Sequence, residues 1–171
     1  MSVGLIDLFE YLYWIRDRCL IKAADLPAER FLDPSTVAYR DLRSTFVHEL
    51  DVERSWRLRL QGAARDAWDA DLAPDDYPDV ATLSAAWQEE EGITLEWLSG
   101  LSATDFASPV TVNGLEGFPL ATYLTHVVFH GAESLSAAAI LLHRAGRSVG
   151  DVEYLDFVDA QPGSSLDPAP R

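Results

Sequence analysis

The chain has 171 residues, 48% of them hydrophobic, and its 28 acidic against 13 basic side chains give a formal net charge of −15. That length suits one domain with a real core, and the apolar share excludes wholesale disorder. The charge argues against nucleic acid and against an anionic membrane surface, both of which call for clustered Lys and Arg.

The first segment, Leu5 to about Ala24, carries Leu5, Leu8, Phe9, Leu12, Ile15, Cys19 and Leu20 at helical spacing. Leu26-Pro27 ends it, because a residue before proline is pushed out of the helical region. Ala28 to Arg40 reads as a loop or an extra turn. A second helix follows, from about Ser35 or Asp41 to Gly62, with Leu42, Phe46, Val52, Trp56 and Leu60 on its apolar face and His48 on the flank. Glu49, Asp51, Glu53, Arg54, Arg57 and Arg59 read as a solvated face.

Ala63 to Asp79 is acidic, contains Pro74 and Pro78, and reads as a connection anchored by Trp68 and Tyr77. A third helix is expected from about Thr82 to Gly100, with Leu83, Trp87, Thr94, Trp97 and Leu98 inward. Glu89, Glu90 and Glu91 read as an exposed acidic ridge. Pro109 to Pro119 breaks the pattern, with Val110-Thr111-Val112 favouring extended structure and Asn113-Gly114 and Glu116-Gly117 as turn signals. A short hairpin or extended crossover is expected there. The longest helix runs from about Leu120 to a cap at Gly146. A short docked helix in Asp151 to Val158 uses Val152, Leu155 and Phe157. Residues 1–160 thus form one α-helical bundle, and 161–171, QPGSSLDPAPR, have a disordered composition.

No apolar run approaches the roughly 20 residues of a membrane span. The start, MSVGLIDLFEYLY, lacks a basic region and holds acidic residues in its apolar stretch, unlike a secretory signal. Cys19 is alone, which leaves no internal disulfide. These features place the protein in the cytoplasm. Lys22 as the sole lysine, among plentiful Arg and Ala, hints at a GC-rich bacterial genome.

The chemistry concentrates in LTHVVFHGAESLSAAAILLHRAG, residues 124–146. His126, His130 and Ser134 recur at four-residue spacing and share a helix face. Gly131, Ser134, Ala137 and Ala138 keep that helix slim. Two histidines one turn apart hold a metal ion when a third ligand arrives from elsewhere, and His48 is the candidate. Such a site leaves an open position, and can lower the pKa of bound water or bind a thiol as thiolate. The plainer alternative is a set of hydrogen-bonded histidines at the edge of a core. His143, in the polar end of the helix, reads as a surface residue near the C-terminal dipole. A di-iron site would need two Glu-x-x-His repeats, and only His130 and Glu133, in reverse order, are present. Nothing forms a nucleophile elbow or a Gly-rich phosphate loop.

Together LIDLFEYLYWIRDRCL, LRSTFVHELDVERSWRLRL, TVNGLEGFPL and LTHVVFHGAESLSAAAILLHRAG followed by DVEYLDFV make the chain resemble the DinB/YfiT-like family, from about Leu5 to Val158. The resemblance implies a four-helix bundle of up-down-down-up type, commonly a homodimer, with a divalent metal such as zinc or nickel held by three histidines. It implies chemistry of the kind seen in transferases and isomerases that use low-molecular-weight thiols such as mycothiol or bacillithiol. Carried over, the ligands fall on His48 and His130, but the third falls on Ser134. The family's His-His-Arg-Gly-Gln run is here Glu133-Ser134-Leu135-Ser136-Ala137. His126 is the preferred substitute ligand and Glu133 the other, with Ser134 and Glu133 lining the pocket. Two classes stay open: a metal-dependent thiol transferase or isomerase, and a metal-free, non-catalytic bundle that binds a small ligand or acts as a stress-related dimer.

Overall fold

The computed structural model describes residues 4–35, 37, 39–112 and 115–161. The chain is predominantly helical: α1 (Leu5–Ala24), α2 (Ala28–Phe31), α3 (Leu42–Leu60), α4 (Val80–Ser99), α5 (Ala103–Ala107), α6 (Leu120–Arg144) and α7 (Tyr154–Ala160). One small antiparallel sheet, β1 (Pro109–Val112) with β2 (Leu115–Pro119), precedes α6. The Asn113-Gly114 turn and the tail beyond Gln161 lie outside the described residues.

Local chemistry sets the boundaries. Asp41 caps α3 by accepting from the Ser44 amide at 2.8 Å, and Asp79 caps α4 by accepting from Thr82 at 2.7 Å. α6 ends as its sequence demands. Gly146 is left-handed at φ +78, and the amides of Gly146 and Arg147 return to His143 and Leu142 at 2.9 and 2.8 Å. The pairing of β1 with β2 is irregular between Val110 and Val112. Gly117, at φ +81, belongs to β2 as part of this bulge and does not turn the chain as the sequence suggested.

α6 packs along both α1 and α3, and α4 packs on the far side of both. One core cluster gathers Leu12, Phe46, Leu83, Trp87, Leu135 and Leu142, and a second gathers Phe9, Tyr13, Leu98, Leu124 and Val127. By length and a mean hydropathy of 1.2, α6 is apolar enough to cross a membrane, which the sequence reading did not expect. Its apolar face is occupied by these clusters. In α7, Phe157 is buried against Tyr11 and Trp14, whereas Leu155 is exposed, contrary to expectation.

The largest departure concerns charge. Glu49, Glu53 and Arg57 are buried, not solvated, and so is Glu90. Glu53 accepts from the Tyr13 hydroxyl of α1 and from Trp87 Nε1 of α4 at 2.9 Å, tying the two core clusters together. Burial pushes its carboxyl up to about 7, and the two donors hold it back. Arg57 forms a bidentate pair with Glu90. Glu91 reaches Arg16, whose guanidinium lies 4.8 Å above the Tyr13 ring. The acidic ridge is therefore split, because successive helical residues diverge by about 100°. Only Glu89 of the three faces outward.

Replacing Glu90 with Ala strands a buried guanidinium and is expected to cost roughly 3–5 kcal/mol in chemical denaturation. Glu89→Ala, on the outer face, is expected to change stability by about 0.5 kcal/mol or less.

Candidate functional site

The site forms where α3 and α6 face each other. α3 contributes Thr45 and His48. α6 contributes His130, Glu133, Ser134 and Ala137. The turn before α3 contributes Val37 and Arg40. That turn is closed by two backbone bonds, Val37 N–H to Arg40 O at 2.9 Å and Arg40 N–H to Val37 O at 3.1 Å. Together these residues line a cavity of about 130 Å³. The His48 and His130 rings meet edge to face with centroids 5.2 Å apart. A second, wider cavity of about 470 Å³ shares Arg40 and His48 and extends along α3 past Asp51 to Trp56 and Arg59.

His130 is held from behind. Its Nδ1 lies 2.7 Å from Oε2 of Glu49, a carboxylate with no solvent exposure. Burial raises the Glu49 carboxyl, while His130 and the nearby Ser134 hydroxyl act against that rise. The other oxygen, Oε1, makes no hydrogen bond of normal geometry, although Ser134 is close enough to favour the charged form. The bond to Glu49 raises His130 more than burial lowers it. Both shifts are in the direction that favours protonation. His48 behaves oppositely. Burial, then Arg40 and His130, hold it down to about 4, with Asp71 opposing, so its ring is neutral at pH 7.

Gly131 makes this arrangement fit. A Cβ there would stand 2.7 Å from both Glu49 Oε1 and Leu12 Cδ1. The small surface noted in the sequence thus has a specific use: it admits a carboxylate from α3 and a leucine from α1 onto the backbone of α6.

The structure brings His48, His130 and Ser134 to one cavity, with Glu133 exposed at its rim. It does not bring His126 into that lining. His126 is exposed, 6.3 Å from the His130 ring, and packs edge-on against Trp56 at 5.3 Å. His143 is exposed at the end of α6, as expected. Sequence reasoning missed Glu49 and Arg40. Glu49 adjoins His48 and follows Thr45 by one turn, which is a signal of an inward position. Arg40, in an irregular turn, gave none.

The donor set does not fit a resident zinc-like ion. Among the described residues, no group of three His, Cys, Asp or Glu side chains is disposed to hold a metal. His48 and His130 offer two imidazoles, Ser134 offers a hydroxyl, which is a poor zinc ligand, and Glu49 is engaged behind His130.

Two outcomes follow from this geometry. Gly131→Ala is expected to destabilise the protein by about 1–3 kcal/mol in urea unfolding, through overpacking. For His48, the folded pKa lies below the unfolded value of about 6.5, so its contribution is full above 6.5 and is lost as pH falls towards 4. Wild type is therefore expected to lose stability relative to His48→Gln between pH 7 and pH 5, measured by urea denaturation at each pH.

A model of the DinB family matches residues 1–168. No curated protein matches the chain.

Proposed function

We propose, from the premise that the chain belongs to the DinB family, that it binds a small molecule in the cleft between α3 and α6 through His48, His130 and Ser134, without a resident metal ion. Family membership by itself points to a metal-associated bundle. What supports the metal-free reading is the donor set: two imidazoles, a hydroxyl and the exposed Glu133 line the cavity, and among the described residues no three His, Cys, Asp or Glu side chains are disposed to hold a metal. Glu49 orients His130 and supports its protonated form, so Nε2 can exchange a proton with a bound molecule. A low-molecular-weight thiol is one ligand such a cleft accommodates. The up-down-down-up path, the cytoplasmic setting and a homodimer belong to the same proposal. Phe129 and Ile140, three turns apart on one face of α6, are exposed apolar surface for a second copy.

The second reading is a small-thiol-dependent transferase or isomerase with a zinc or nickel ion. The 5.2 Å approach of His48 to His130 favours it, and it requires His126 or Glu133 to turn into the cleft.

Zinc and nickel titration of untagged, chelator-treated protein separates the two. The wild type is expected to show no rise in Tm and no bound metal by elemental analysis. Ser134→His is expected to take up about one ion per chain and to gain about 2.7 kcal/mol at a zinc concentration near 100 times Kd. About one ion per wild-type chain, lost in His130→Ala, establishes the second reading instead.

A further inference from the structure

Arg40 stands at the junction of the two cavities and lines both. It is half-buried, and among the described residues no carboxylate pairs with it and no side chain or carbonyl accepts from its guanidinium. Arg16, Arg30, Arg43, Arg57 and Arg65 each have an acidic partner. The carboxylate nearest in sequence, Asp41, is committed to capping α3. Asp51, in the wider cavity, accepts from the Leu72 amide at 3.0 Å. Asp71 and Glu133 lie exposed at the rims.

The Val37–Arg40 turn anchors the backbone of Arg40 beside the cleft, and its charged side chain lines both cavities. That charge reaches the site, since it disfavours protonation of both His48 and His130. Further along the wider cavity, the Arg59 guanidinium lies between the Trp56 and Trp68 rings, 5.4 and 4.3 Å from their centroids. Stacking orients it without neutralising it. The wider cavity falls within the roughly 300–1,000 Å³ of small-molecule sites.

We propose that the ligand of this cleft carries an anionic group, a carboxylate or a phosphate, that seats on Arg40, with Arg59 as a second cation for a longer ligand. This rests on the cleft being a small-molecule site. An arginine fork matches either anion with two parallel hydrogen bonds, and the neutral His48 ring beside it supplies a further donor or acceptor.

The test follows the ring signals of His48 and His130 by NMR at fixed pH and ionic strength, during titration with acetate, acetamide or inorganic phosphate. Acetate or phosphate is expected to shift both signals saturably, and the stronger of the two identifies the anion. Acetamide is expected to bind about tenfold more weakly or less. Arg40→Gln is expected to weaken the anion about tenfold and leave acetamide unchanged, whereas Arg40→Lys, which keeps the charge and loses the fork, is expected to fall between wild type and Arg40→Gln. Acetamide binding as well as acetate, or Arg40→Gln without effect, overturns the anion proposal and leaves the cleft reading intact. If no probe moves either signal, both fall.

Discussion

The structure depends on one stripe of buried polar side chains. Glu49, Glu53 and Arg57 follow each other at four-residue spacing along α3 and all point inward. Each is answered by a different helix: Glu49 by His130 of α6, Glu53 by Tyr13 of α1 and Trp87 of α4, and Arg57 by Glu90 of α4. Charges this deeply buried are costly when unpaired, so displacement of any partner helix would leave one stranded. The apolar clusters supply non-directional cohesion, while this stripe selects a register for α3 against its three neighbours.

The cleft follows from that register. His48, Val52 and Trp56 form the adjacent stripe of α3, rotated by one residue towards α6. Whatever holds Glu49 inward therefore holds His48 at the cavity. Gly131 lets α6 approach closely enough for Glu49 to reach His130, and Ser134 follows one turn later on the same face. Packing and chemistry meet in the same few residues: the glycine that allows the helices to close also admits the carboxylate that orients the histidine.

Much of the helical frame was legible. The first helix was read as Leu5 to about Ala24 and the cap at Gly146 was expected, while α4, capped by Asp79, starts at Val80, ahead of the start read at about Thr82. The approach of His48 and His130 came from helix-face geometry together with the family resemblance. The buried charges were not legible, because Glu and Arg are exposed by default and their partners lie far away in the chain. Arg57 and Glu90 are separated by 33 residues, and Glu49 and His130 by 81. Sequence periodicity shows which residues share a face, but not which faces carry partners able to satisfy a charge. The triplet Glu89-Glu90-Glu91 illustrates this: the first meets solvent, the second is buried against Arg57, and the third, half-buried, reaches the buried Arg16.

The charge state of the cleft follows from the same neighbours. In metal sites a ligating histidine commonly gives its other ring nitrogen to a carboxylate, and Glu49 stands in that position behind His130. With Ser134 in place of a third imidazole, His130 is the side chain that answers the buried carboxylate, and that contact raises its pKa. Burial, then Arg40 and His130, act against a proton on His48, which stays neutral at pH 7. The cavity therefore presents two imidazole rings, a hydroxyl and a guanidinium, with the Glu133 carboxylate at its rim. Its guanidinium has no carboxylate partner among the described residues, within a chain of formal net charge −15. A small anionic ligand of the proposed cleft would meet that unpaired charge first, at Arg40.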